Sequence, residues 1–218
     1  MSRRTRPWRR AARPRQYRRA SVLAAVLPCV CAALPTLLPT AAASDAAGSP
    51  DAAALGQLMM QLAARQHAEV RFQESQYLSA LSRPLQSAGT LLYDAPDHLE
   101  QRIDTPRHQQ MVLDHRQLTL QMGKRRHTVQ LADYPQLAPL LDSIRATLAG
   151  DLPALRQSFV LRFEGAVSQW SLRLTPRDAA ISATLREIRL QGQGIQIREV
   201  SIEQTDGDHA VMHIEPLP

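Results

Sequence analysis

Two imidazoles lie near the end of the chain, His209 and His213. On a strand an even offset puts both on one face, so they could hold a divalent metal ion together with Asp206 or Asp208. No third ligand is fixed by the spacing, and two solvent-facing histidines beside a hairpin are the simpler reading. Asp206-Gly207-Asp208 resembles a fragment of a calcium loop without the distal glutamate, and reads more simply as a tight turn. Lys124-Arg125-Arg126-His127 is the dense basic cluster beyond the first forty-three residues. It could touch an anionic lipid headgroup or a partner, although a charged hairpin tip is the ordinary explanation. There is no Gly-x-Ser-x-Gly elbow, phosphate-cradling glycine loop or His-Glu-x-x-His. No motif sets a nucleophile beside a base, so an enzyme is not expected, and neither is a cofactor or a catalytic or metal site. A small hydrolase built on Asp or His is the least favoured reading.

The elements that must position any site begin after a leader. Arg3, Arg4, Arg6, Arg9, Arg10, Arg13, Arg15, Arg18 and Arg19 come first without an acidic partner, followed by an apolar run from Val22 to Leu38. The order of charge, grease and the small residues Thr40 to Ser44 is that of a cleaved export signal, with Pro28, Pro35 and Pro39 interrupting any spanning helix. The cut is expected near Ala43, giving a signal over 1–43 and a single domain over 44–218. Arg18-Arg19 could mark a folded-export route, but among nine arginines such a pair is unremarkable, and the general route is preferred. Removing the signal takes nine of the 26 Lys and Arg and none of the 20 Asp and Glu, so a formal charge of +6 becomes −3. The basic balance thus belongs to the leader, and nucleic acid is excluded as an expected partner. Cys29 and Cys31 also lie in the leader and lack the small-residue context of a lipid-anchored cysteine. The mature part therefore has no disulfide or thiolate, and its core alone must hold it.

Residues 44–50 read as a short tail. Leu55, Leu58, Met59, Leu62 and Ala63 then recur at helical spacing, with Ser49 as cap and Pro50 in the first turn, predicting an amphipathic helix over 51–66. Beyond it the period changes to two. Val70 and Phe72, Leu99 to Ile103, and Leu118 and Leu120 alternate with polar residues, as half-buried strands do. Turns are expected at Ser87-Ala88-Gly89, Ala95-Pro96-Asp97, Thr105-Pro106 and Met122-Gly123-Lys124. Leu137, Leu140, Leu141, Ile144 and Leu148 predict a second helix ending at Gly150, and Asp151 with Pro153 opens a further short turn of helix. Strands return at Phe159–Phe163, Trp170–Leu174 and Ile188–Leu190. The phase slips between Ile197 and Val200, as a bulge makes it, and Asp206-Gly207 turns into a last strand. About ten strands and two or three helices, without strand–helix alternation, predict one strongly curved antiparallel sheet with helices over one face.

The expected mature chain has only seven aromatics and fills its interior mainly with flexible aliphatics, a lining that would suit acyl chains. A packed core is the alternative for each of these positions. The order of motifs adds a second line of argument. Val70-Arg71-Phe72-Gln73-Glu74-Ser75, Ser87 to Tyr93, Ala95-Pro96 and Arg102-Ile103-Asp104-Thr105-Pro106 follow the leader and first helix. Met111 to Asp114 and Val200 to Gln204, ahead of Asp206-Gly207-Asp208, complete the series. This order resembles the LolA-like periplasmic lipoprotein carriers over nearly the whole mature chain.

The resemblance implies an incomplete, half-open β-barrel of about eleven strands under a helical lid. It further implies a periplasmic, non-enzymatic monomer that shelters the acyl chains of lipoproteins, or a related acylated lipid. Such a carrier takes cargo from an inner-membrane donor to an outer-membrane acceptor with only transient membrane contact. Each methylene is worth about 0.8 kcal/mol, so exposing an acyl chain of about sixteen carbons costs on the order of 12 kcal/mol. The expected lining is Leu58, Met59, Leu62, Leu92, Leu99, Leu113, Leu140, Leu141, Ile144, Phe163 and Trp170. Ala95 stands where these carriers commonly have an arginine before the proline, and Asp114-His115 where they often have Asp-Gly. The alternative is a periplasmic protein- or lipid-sensing module of the same fold.

Overall fold

The computed structural model describes residues 50–134 and 138–217; the expected export signal, tail and Ser49 cap, and Leu137, lie outside the described residues. The chain opens with helix α1, Pro50–Ala63, whose leucine and methionine face is buried. A meander of six strands follows: β1 His67–Tyr77, β2 Leu85–Asp94, β3 His98–Thr105, β4 Gln109–Asp114, β5 Gln117–Met122 and β6 Arg125–Gln130. A 3₁₀ turn, Leu131–Asp133, leads toward α2, Ala138–Leu148, and α3, Leu152–Ser158. The Asp151 carboxylate accepts the Ala154 amide at 3.0 Å and caps α3, with Pro153 in its first turn. The second meander is β7 Phe159–Ala166, β8 Gln169–Pro176, β9 Leu185–Gln193, β10 Gln196–Gln204 and β11 His209–Pro216, with the one-turn α4, Ala179–Ser182, between β8 and β9.

All pairings are antiparallel, and the order is β6-β5-β4-β3-β2-β1-β11-β10-β9-β8-β7. The two meanders are joined along β1 and β11, where Phe72 faces Ile214 and Glu74 faces Met212. Edges β6 and β7 do not pair, so the sheet is an open half-barrel of eleven strands. Alternation sorts each strand into a concave apolar face and a polar outer face. Cross-strand partners share a face, which gives the concave row Glu74, Met212, Val200, Leu190, Leu172 and Phe163. His213, Glu199 and Gln191 form an outer row, tied by the Gln191 amide donating to the Glu199 carboxylate at 2.9 Å.

The predicted turn at Ser87-Ala88-Gly89 is instead the middle of β2, and the chain reverses at 78–84. The small residues serve a close approach. A Cβ on Gly89 would lie 1.8 Å from the Arg102 carbonyl oxygen, beside the register shift between β2 and β3. Turns fall as expected at Ala95-Pro96, Thr105-Pro106, Gly123 and Gly207, the last two with positive φ. The bulge also falls where the phase slips, between Ile197 and Glu199. α1 ends short of Gln66, and α4 was unannounced because one turn is too short to show a period.

Candidate functional site

The 3₁₀ turn, α2 and α3 come in sequence between the two unpaired edges of the sheet, and α2 and α3 pack on each other. α2 covers the concave face. α2 lays Leu141, Ile144, Thr147 and Leu148 toward the sheet at the helical spacing the sequence predicts, and a cavity of about 250 Å³ lies between them. Its walls are Leu91, Tyr93, Leu99, Met111 and Leu113 from the first meander, and Leu174, Ile188, Leu190, Val200, Ile202 and Met212 from the second. Ala68 and Val70 on β1 and Ile214 on β11 form the seam between them. Ser143 and Thr147 also border the space, and the Thr147 hydroxyl donates to the Ser143 carbonyl at 2.7 Å, turning that hydroxyl back onto the helix. The lining is hydrocarbon with few polar groups, and an apolar cavity of about 150 Å³ already accepts benzene. There is room for a segment of alkyl chain.

Of the residues expected to line such a space, Leu99, Leu113, Leu141 and Ile144 border it from the concave face and α2. Leu92 borders it although alternation gives its side chain to the opposite face from Leu91 and Tyr93. Leu58, Met59, Leu62, Phe163 and Trp170 do not line it. α1 packs directly against β7, and these side chains on α1, β7 and β8 are each at most 5% exposed. The Trp170 indole nitrogen is used up in a 2.8 Å bond to the Gly194 carbonyl. They are core beside the cavity, which helical or strand spacing alone cannot separate from lining. The Leu140 side chain lies outside the described residues. Sequence reasoning missed Leu91, Met111 and most of the second meander's wall. Their alternation was readable, but which part of a concave face a distant helix covers is not a local property.

The polar candidates are dispersed. His209 stacks on Tyr77 with ring centroids 4.5 Å apart, while His213 lies 3.5 Å from Glu199, so the two imidazoles share no third ligand. Among the described residues the carboxylates and imidazole that come within metal-ligating reach are Asp97, Asp114 and His115. His115 bonds Asp114 at 2.9 Å and faces Asp97 at 3.8 Å, and these anions hold its pKa above the usual histidine value. It is a largely exposed ion-paired cluster, with Asp97 half-buried, at the β2–β3 and β4–β5 turns. Lys124 and Arg125–His127 lie along edge strand β6, exposed, where charge discourages pairing with another sheet.

Residues 33–213 match the family model described as outer membrane lipoprotein carrier protein LolA-like. The chain belongs to this family. Among solved structures, this LolA-like chain is similar to a LolA superfamily protein from Nitrosomonas europaea, with 10% identity, a TM-score of 0.42, and 76% of this chain and 94% of that one covered. A DUF1329 family protein from Desulfovibrio piger gives 10% identity and a TM-score of 0.45 over 77% and 92% of the two chains. LprF from Mycobacterium bovis gives 11% and 0.29 over 75% and 93%. No curated protein sequence gives a significant match. Among the described residues no helix is long and apolar enough to cross a membrane.

Proposed function

We propose that this protein is a non-enzymatic carrier that works in the periplasm after its export signal is removed, sheltering the acyl chains of a lipoprotein or related acylated lipid. It takes cargo from an inner-membrane donor and gives it to an outer-membrane acceptor. The observation that carries this reading is the apolar cavity of about 250 Å³ between α2 and the concave sheet. Membership of the LolA-like family supports it, as does a lining made mainly of aliphatic side chains. Burying hydrocarbon at about 0.8 kcal/mol per methylene nearly matches what a membrane offers, so transfer in either direction needs no covalent step.

A titration with a fluorescent fatty acid tests the reading. The wild type should take up the probe saturably, and protein purified from the periplasm should carry acyl chains detectable by mass spectrometry. Val200 lines the cavity and is only half-buried, so Val200→Trp has space to fill. It should leave the circular dichroism of the fold intact and weaken uptake at least about tenfold. Unchanged uptake in this variant, or none in the wild type, would remove the cavity from consideration.

A further inference from the structure

One end of the cavity differs from the rest of its lining. In the register of β10 with β9, Ile197 opposes Gly192 and Glu199 opposes Gln191, which leaves Arg198 as the extra residue of a bulge. A bulge re-aims a side chain. Counting back in twos from the cavity-lining Ile202 and Val200 places Arg198 on the concave face, where an unbroken strand continuing from Ile197 would have placed it outside. Arg198 is half-buried and borders the cavity, and its guanidinium has no carboxylate or hydrogen-bond partner among the described residues. Arg65 borders the same cavity from the segment after α1, where it donates only to the carbonyls of His67 and Ile195, each at 3.3 Å.

The carboxylates nearby do not neutralise this pair. Glu100 is already held by Arg102 at 2.6 Å and by Gln110 at 2.7 Å. Glu69 is exposed and alternates to the opposite face from Ala68 and Val70. A guanidinium kept half-buried without an anion loses hydration and gains nothing in return, unless the anion arrives with a ligand. Its planar fork fits a carboxylate or phosphate in two parallel bonds.

We propose that the cavity takes an amphiphile whose hydrocarbon tail enters beneath α2 and whose anionic head, a carboxylate or a phosphate, is held at the rim by Arg198 and Arg65. This rests on the acyl-chain reading above and specifies the ligand's polar end and its orientation.

The test compares three single-chain probes of equal length by competition against a fluorescent fatty acid: hexadecanoate, a hexadecyl phosphate monoester and uncharged hexadecanol. At least one anion should bind about tenfold or more tighter than the alcohol. The preference should vanish in Arg198→Gln, persist in Arg198→Lys, and weaken with added salt as a half-exposed ion pair does. Hexadecanol affinity should stay the same in all three proteins, which reports an intact cavity. A gain for hexadecanoate alone assigns a carboxylate head, and a gain for the phosphate alone assigns a phosphate; both uphold the proposal. Equal affinity for the alcohol and the anions overturns the headgroup site while leaving the cavity. An anion preference that survives Arg198→Gln overturns it too. Failure of all three probes to bind overturns the cavity reading together with this one.

Discussion

Glu74 is a carboxylate on the concave side of β1, between Ser87 of β2 and Met212 of β11. Burial raises its pKa, and hydrogen bonds from the Gln76 amide and the Ser87 hydroxyl, each 3.1 Å, offset only part of that rise. The folded protein therefore holds this proton more tightly than the unfolded chain. The linked stability is greatest below the usual glutamate range and declines as pH rises from that range through the raised folded value. Glu74→Gln keeps an oxygen that can accept both bonds and removes the charge. At neutral pH the variant should melt at a higher temperature than the wild type. At about pH 4, near the ordinary value, the two should converge, as thermal denaturation at a series of pH values will show. A variant less stable at neutral pH would mean that the charge is needed where it lies. The sequence marks Glu74 only as one polar residue in an alternating strand; its burial comes from β11, well over a hundred residues away. The same limit explains Leu92. In Leu91-Leu92-Tyr93 the choice of inward residue depends on a one-step register with β1, which places Leu91 opposite Val70.

At the level of elements, α1 and α2 were legible because apolar positions repeat over about three turns in each, although the end of α1 at Ala63, ahead of Gln66, was not. The bulge in β10 was legible too, as a broken alternation. Ser87-Ala88-Gly89 misled because small residues signal a turn and a close strand approach equally well. Gly150 was read as a helix stop, which it is, with φ +65°. The structure adds a tertiary reason. A Cβ there would sit 2.1 Å from the Met59 carbonyl oxygen and 2.8 Å from the Ala63 nitrogen, so the end of α2 abuts the last turns of α1 backbone to backbone. Gly150→Ala meets both a left-handed backbone and a clash with atoms that cannot rotate away. Its cost should exceed about 1 kcal/mol, more than the entropic effect of a Gly→Ala change at a compatible site. A lowered urea midpoint with an unchanged slope would record this. A midpoint equal to the wild type's would show that α2 is not anchored at this contact.

Across the whole molecule, two six- and five-stranded meanders meet at β1 and β11 and leave β6 and β7 as free edges. α2 lies in sequence between those edges, and it sits over the cavity on the concave side. On its sheet-facing side Leu141 and Thr147 are buried but Ile144 and Leu148 remain half-buried, whereas the α1 residues Leu58, Met59 and Leu62 are all buried. A helix with fewer closed apolar contacts opens at lower free energy than the strands beneath it. A cavity of about 250 Å³ takes only part of a long acyl chain, so α2 must also be the element that yields to admit the rest. Amides of 140–148 should accordingly exchange with deuterium faster than those of β9 and β10 in the empty protein. A bound acyl ligand supplies the missing contacts, and at a free concentration of about 100 times Kd it stabilises the folded state by about 2.7 kcal/mol. Protection should then rise most in α2 and least on the polar outer face near Glu199. If α2 in the empty protein exchanges as slowly as β9 and β10, the helix is a fixed part of the core. The cavity would then have no door for a chain of sixteen carbons.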